Sequence, residues 1–305
     1  MRKVVVGTRG SRLALLQTEE VLAALGEQAG WSFEVRVIAT EGDRDRTTPI
    51  AGLGGRGVFV KEIERALSAE EIDLAVHSLK DMTTVETPGL VIAAVPHRAS
   101  PLDAAYVPSG GTLDSLAEGA RVATGSPRRA AQLRAHFPGL AVTDIRGNVD
   151  TRREKVQSGV AEALIVAQAA LDRLGIVDDS TTSLNPSTML PAPGQGALAC
   201  QVRVDDRGLA ELLATIQDGA SRAEVDAERA FLAGFGSGCQ TPIAALARAE
   251  GARIALEGLV ISPDGRQIVR VDGIGPMADA ARLGASLAES ALRQGAATLI
   301  ERDRA

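Results

Sequence analysis

The sequence predicts an α/β protein with two wound α/β lobes and a small α+β third domain. Three observations predict it. Over the first two-thirds of the 305 residues, short β-branched runs alternate with helix-period patterns, as in a sheet wound with helices. The Pro/Gly-rich stretch Leu190-Pro191-Ala192-Pro193-Gly194-Gln195-Gly196 reads as a crossover, and an apolar strand follows it. From about Ser221 the pattern becomes one helix and then three consecutive alternating strands.

In the first lobe, Val4–Val6 is read as a strand. Ser11 then caps a helix whose apolar positions are Leu13, Leu16, Val21 and Leu25. Residues 33–38 form the next strand, and a polar, Gly-rich loop runs from about Thr40 to Gly57. A helix is expected over 58–67, a buried strand over 72–76 ending at His77-Ser78, and a strand over 91–95. The second lobe begins near Asp103. Its strand 122–124 runs into Ser126-Pro127, where Ser at the N-cap and Pro at the first helical position mark a helix start. A strand over 141–145, a helix over 149–157, a strand over 163–166 and a helix over 169–174 ended by Gly175 complete it. After the crossover, residues 197–202 are a strand.

The last region carries a helix over 223–232 and a Gly-rich loop. Strands are expected over 243–249, 253–261 and 267–271, the last two joined by a Pro263-Asp264-Gly265 turn, and a long helix over 277–293 follows. A chain of this length is too long for one ordinary core. The expected domains are 1–98 with 197–216, then 102–191, then 220–305. A chain that leaves one lobe, builds a second and returns makes a clamp, with ligands beyond the carboxyl ends of its strands.

Composition excludes several functions. The net charge of -6 argues against generic binding of nucleic acid or anionic membranes, and aromatics at 2% leave no surface on which bases could stack. No apolar run is long enough to span a bilayer, and the first residues lack a signal-peptide core, so a cytoplasmic protein is expected. Two cysteines, Cys200 and Cys239, make neither a disulfide framework nor a zinc site. His77, His97 and His136 fall on different elements without ligand spacing, so no metal is expected.

The polar residues gather at strand ends. Arg9 and Ser11 follow the first strand, Lys80-Asp81 follows the strand at 72–76, Ser126, Arg128 and Arg129 follow another, and Arg146 and Arg152 surround a third. Guanidinium groups bind carboxylates or phosphates bidentately, and helix N-termini add N–H donors. Each arginine alone is more often part of a solvated face; the repetition at equivalent ends favours a site for anions. Cys239 lies in Gly234-Phe235-Gly236-Ser237-Gly238-Cys239-Gln240-Thr241-Pro242, a flexible and accessible setting, whereas Cys200 sits within an apolar strand and reads as structural. Gly52-Leu53-Gly54-Gly55-Arg56-Gly57 matches a dinucleotide fingerprint in form only, because no strand precedes it.

Seven segments in register resemble the porphobilinogen deaminase (hydroxymethylbilane synthase) family over essentially the whole chain. They are Thr8-Arg9-Gly10-Ser11, Gly55-Arg56-Gly57-Val58-Phe59-Val60-Lys61-Glu62, Ala75-Val76-His77-Ser78-Leu79-Lys80-Asp81, Gly125-Ser126-Pro127-Arg128-Arg129, Ile145-Arg146-Gly147-Asn148-Val149-Asp150-Thr151-Arg152, Pro193-Gly194-Gln195-Gly196-Ala197 and Gly238-Cys239-Gln240-Thr241-Pro242. The resemblance implies first and second domains arranged like a type II periplasmic binding protein. It implies a transferase of haem and other tetrapyrrole biosynthesis that adds four porphobilinogen units head to tail to a dipyrromethane cofactor, releases ammonia at each step and hydrolyses the product free. It implies that Cys239 holds the cofactor by a thioether and that Asp81 is catalytic. Lys80, Asp81, Thr124, Ser126, Arg128, Arg129, Arg146 and Gly147 would bind the cofactor, and Arg9, Ser11, Gln17, Arg146, Arg152 and Arg173 the substrate. Gly125-Ser126-Pro127, Met82-Thr83-Thr84 and Arg56 depart from the common family pattern.

Two other readings compete. A solute-binding protein that only clamps an anion explains two lobes and the arginines but not Cys239. A cysteine hydrolase pairing Cys239 with His77 lacks an identifiable third residue to orient the histidine.

Overall fold

The computed structural model describes residues 2–27, 29–40, 57, 59–236 and 242–301. The chain divides into two compact units, one of Met1–Ala99 with Gly196–Arg222 and one of Ser100–Gln195 with Ala223–Ala305.

The first unit is built on strands β1 (Arg2–Thr8), β2 (Trp31–Val37), β3 (Leu74–Ser78), β4 (Leu90–Ala94) and β10 (Leu198–Arg203), in the order β2-β1-β3-β10-β4. β1 runs parallel to β2 and β3, while β10 is antiparallel to both of its neighbours. Side chains alternate across a strand, so each face finds its own cover. Val4, Val6, Leu74, Val76, Leu198 and Cys200 pack with α1 (Arg12–Leu25) and α6 (Arg207–Ala214). Ala75 and Leu90 pack with Ile63, Ala66 and Leu67 of α2 (Lys61–Ser68). Each fully buried Leu or Ile here contributes roughly 1.5–3 kcal/mol.

Two helices of this unit differ from the sequence reading. The buried face of α1 is Ala14, Gln17, Thr18, Val21 and Leu25, with Leu13 and Leu16 only half-buried. Thr18 can be buried because its hydroxyl donates to Ala14 O at 3.0 Å, and Gln17 because Ser78 Oγ donates to its Oε1 at 3.0 Å. Helix α2 begins at Lys61 rather than 58. Gly57 (φ +94°) makes a turn there, its carbonyl accepting from the N–H groups of Val60 and Lys61.

The second unit holds two sheets. The middle one comprises β5 (Asp103–Tyr106), β6 (Arg121–Ala123), β7 (Ala141–Thr143), β8 (Ala163–Ala167) and β9 (Thr181–Ser183), in the order β7-β6-β8-β5-β9. Its helices are α3 (Pro127–His136), α4 (Val149–Gln157) and α5 (Gln168–Leu174). Ser126 and Asn148 cap α3 and α4, and Gly175 ends α5 in the left-handed region. The sequence reading had neither β5 nor β9, nor α6.

The last sheet is the antiparallel ribbon β11 (Ile243–Glu250), β12 (Arg253–Ile261) and β13 (Ile268–Pro276). One face is covered by α7 (Gly219–Ala233), α8 (Ala280–Arg293) and α9 (Ala296–Glu301). Phe231 of α7 lies over Gly258, where a Cβ would come within 2.4 Å of its ring, so only glycine fits at that point of β12. Phe231 and Phe235 meet edge to face, centroids 5.1 Å apart. The other face packs Ala244, Leu246, Leu259 and Ile261 with Ala131 of α3 and Leu190 of the crossover. The expected single helix over 277–293 opens as a 3₁₀ turn, Met277–Asp279, before α8 starts.

Candidate active site

A pocket in the first unit lies where β1 and β3 end. Arg9, Ser11, Gln17, Phe59, His77, Ser78, Lys80 and Asp81 are among its lining residues. Ser11 is there because its Oγ caps α1, accepting from Ala14 N–H at 3.2 Å. Lys80 and Asp81 are there because β3 ends in a 3₁₀ turn, Leu79–Asp81, with Leu79 buried beneath it. Arg9 stacks on Phe59, its guanidinium 3.9 Å from the ring centroid. Gln17 accepts from Ser78, which leaves its NH2 as the end able to donate to a carboxylate. Arg9, Ser11, Lys80 and Asp81 are all half-buried, and so reachable by a ligand. Two cations, several neutral donors and one carboxylate thus converge in one pocket.

His77, the residue before Ser78, points to the α2 face and is buried. Its Nε2 lies 3.1 Å from Gln201 Oε1, Gln201 Nε2 donates to Glu64 Oε1 at 2.9 Å, and Thr87 Oγ1 donates to Glu64 Oε2 at 2.8 Å. Burial pulls the imidazole pKa down to about 4 even though Glu64, Gln201 and Asp81 favour the charged form. Gln201 and Glu64 were not singled out in the sequence. Their only signal there is a polar residue within an otherwise apolar strand or helix face.

The middle sheet brings together a second group. Arg128 and Arg129 are buried against the fully buried Asp103. Arg128 Nη2 lies 2.7 Å from Oδ2, and Arg129 donates through Nε at 2.9 Å and Nη2 at 2.7 Å to Oδ1. Arg128 also donates to Leu190 O, and Arg129 to Ile165 O and Gln195 Oε1. Burial pushes the Asp103 carboxyl up, but the two guanidiniums and the Gln195 amide outweigh it and hold it below the usual carboxylate range. Gln195 Nε2 donates to Asp103 Oδ1 at 2.9 Å, and Gly194 N–H to Glu228 Oε2 at 2.6 Å, so the crossover is fastened at both residues. Asp103 lies 26 positions from Arg129, and nothing local in the sequence pairs them.

Thr124 is buried just before this group, and Ser126 Oγ accepts from Arg129 N–H at 3.5 Å. Gly147 sits at φ +118°, a conformation that strains any residue with a Cβ, and its carbonyl accepts from Arg152 Nε at 2.7 Å. Arg146 is half-buried, and its Nε is buried with no hydrogen-bond partner among the described residues. Arg173 is half-buried near the end of α5.

Cys239 and the glycines at 52–55 lie outside the described residues. Cys200 is buried, and burial pushes its thiol up to about 12, as suits a structural residue. Among the described residues no group of His, Cys, Asp and Glu could hold a metal ion, and no helix is long and apolar enough to cross a membrane.

A family model described as "Porphobilinogen deaminase, dipyromethane cofactor binding domain" matches residues 4–211. Another, "Porphobilinogen deaminase, C-terminal domain", matches residues 222–293. A protein named porphobilinogen deaminase from Roseiflexus sp. (strain RS-1) is 44% identical over 298 residues, covering 97% of this chain and 98% of its own. One from Deinococcus radiodurans is 45% identical over 307 residues, covering 99% of each chain. A third, from Desulforudis audaxviator, is 45% identical over 305 residues, covering 100% of this chain and 99% of its own.

Proposed function

From the premise that the chain belongs to the porphobilinogen deaminase family, we propose roles for its individual residues in the family's reaction. The activity is that of a hydroxymethylbilane synthase, a transferase with porphobilinogen as substrate and dipyrromethane as cofactor. The observation that carries the residue roles is the pocket where Asp81 meets Lys80, Arg9, Ser11 and Gln17.

The donor set suits the cofactor. A dipyrromethane presents acetate and propionate carboxylates around pyrrole N–H groups, and the pocket offers cations and neutral donors for the former and one carboxylate for the latter. When bound, the cofactor supplies the nucleophilic pyrrole carbon to which substrate is joined. Lys80 holds its carboxylates. On the middle sheet, Thr124, Ser126, Arg128, Arg129, Arg146 and Gly147 bind cofactor side chains. The partnerless buried Nε of Arg146 is a donor suited to a carboxylate. Arg9, Ser11, Gln17, Arg146, Arg152 and Arg173 bind the substrate's carboxylates, and Cys239 is the attachment point.

Loss of ammonia from the aminomethyl group of porphobilinogen leaves a cation delocalised onto its pyrrole nitrogen. Asp81, a fixed anion at the end of a rigid strand, stabilises that charge where it develops and exchanges the proton of the pyrrole N–H. The shared strand order of the first two sheets supports two lobes of the type II periplasmic binding kind, with residues 220–305 as a third domain. The expected setting is a cytoplasmic monomer acting on a small molecule, without nucleic acid, membrane or metal.

Single-turnover product formation tests the role of Asp81, alongside thermal unfolding and intact mass. Asp81→Asn should stay folded and slow by ~10²–10⁴-fold or more, since it loses both proton transfer and electrostatic stabilisation. Turnover within about tenfold of wild type would remove Asp81 from this role. In the same spectra, the dipyrromethane mass should vanish on Cys239→Ala; persistence of that mass would refute the attachment point.

A further inference from the structure

The proposed roles leave one buried titratable group of the pocket without a part, His77. Its surroundings fix more than its position. Glu64 can only accept, and Thr87 already donates to its Oε2, so the end of Gln201 that faces Glu64 Oε1 is the NH2. The end facing His77 is then the carbonyl, and Nε2 must carry the proton of that bond. A flipped Gln201 would set oxygen against oxygen at Glu64 and is excluded. The acceptor offered to Nε2 is a neutral amide rather than a carboxylate, and His77 is only 4% exposed. A second proton, on Nδ1, would place a cation in a nearly dry wall. The charged groups around the ring are Glu64 on α2 and Asp81 on the turn after β3, with Lys80 and Arg9 lining the same pocket.

We propose that Gln201 is a positioning residue: its carbonyl fixes the proton of the buried, neutral His77 on Nε2, and because it is an amide rather than a carboxylate, burial still prevails and no third cation forms in the pocket wall to pair with Asp81. The inference rests on the reading of Asp81 as the group that stabilises substrate cations. An imidazolium beside it would attract the carboxylate and weaken its field where charge develops on the substrate. The choice of an amide on β10 therefore protects the charge of a residue on the neighbouring strand's end. Burial discourages protonation; the hydrogen-bond chain decides which nitrogen carries the proton and sets an amide, a weaker partner for a cation than a carboxylate, between Nε2 and Glu64.

The test is long-range proton–nitrogen NMR of the holoenzyme labelled at its three histidines, with His97→Gln and His136→Gln variants for assignment. Wild-type His77 should show the Nε2–H tautomer and should not titrate above about pH 5. An Nδ1–H tautomer, or titration near the ordinary histidine value, would overturn the proposal. Gln201→Glu, nearly isosteric, should raise the His77 pKa by about one unit or more. It should also introduce a new acidic limb, with turnover about tenfold lower below that pKa and recovered above it. Gln201→Met, which keeps the shape and removes both bonds, should mix the two tautomers; if Gln201→Glu fails to fold, this variant and the wild-type spectrum decide. A protonated His77 in Gln201→Glu with an unchanged turnover profile would sink the protective role while leaving Asp81 untouched. An active Asp81→Asn enzyme would sink the reading of Asp81 itself and the protective role with it.

Discussion

In the first sheet, β10 runs antiparallel between β3 and β4 and brings Gln201 against His77. In the middle sheet, β5 runs antiparallel between β8 and β9 and brings Asp103 against Arg128 and Arg129. The two sheets share one strand order, and in each the reversed strand delivers the buried polar anchor. They use it differently. The first sheet buries a neutral amide and leaves Arg9, Lys80 and Asp81 half-exposed at the strand ends. The middle sheet buries a carboxylate and engages two of its guanidiniums internally. A common topology thus fixes where polar side chains gather, while the residue on the reversed strand decides how much of their bonding capacity is spent within the protein.

The strongest way to break this comparison is Asp103→Asn. It keeps the shape and leaves two buried guanidiniums without an anion, so denaturant unfolding should show a loss of about 3–5 kcal/mol. A loss below about 1 kcal/mol would mean that the pair is held by its carbonyl partners and that the internal ion pair is incidental.

Arg9→Leu sharpens the contrast from the other side. Loss of one charge-assisted bond to a substrate carboxylate is worth roughly 1.5–3 kcal/mol, or about 10- to 150-fold in kcat/KM. The melting temperature should stay close to wild type, and intact mass should show cofactor in place. A variant that is instead unstable, with normal turnover per folded molecule, would make Arg9 a structural residue and not a substrate ligand.

Much of this architecture was legible from local signals. Ser126-Pro127 and Asn148 mark their helix starts by chemistry that acts within three residues, and Gly175 marks an end by its conformation. Apart from α6, whose Leu209, Leu212 and Leu213 do fall at helical spacing, what was missed is non-local or too short to show a period. β5 spans only Asp103–Tyr106 and is buried on both faces, so it shows no alternation, and β9 has three residues. The phase of α1 slipped because Gln17 and Thr18 are buried through hydrogen bonds that a hydrophobicity pattern cannot see. At the site, the residues following strand ends were visible as a set. Asp103, Glu64 and Gln201 were not, because their partners lie 23 to 137 positions away.

The smallest expected effect separates two caps that look alike in sequence. Ser11 Oγ accepts from Ala14 N–H at 3.2 Å, whereas Ser126 Oγ accepts from Arg129 N–H at 3.5 Å, the limit of a useful bond. Ser11→Ala should lower stability by about 1 kcal/mol and Ser126→Ala by less, because Pro127 already presets the first turn of α3. Equal losses, measured by urea unfolding, would show that the caps are equivalent after all.

The reversed strand of the first sheet also dictates an order of events during synthesis. β4 ends at residue 94 and β10 starts at 198, whereas β5 to β9 are contiguous from 103 to 183. At roughly 5–20 residues per second, the ribosome takes on the order of ten seconds to cross that interval. The middle sheet has all its strands before the first sheet has its fifth. Until then β3 and β4 have an empty lane between them, and His77 has no Gln201 to hold its proton. A nascent chain is therefore most exposed to mispairing at the edge of β3, the strand whose following turn carries Asp81, and slowing translation between 95 and 198 lengthens that exposure.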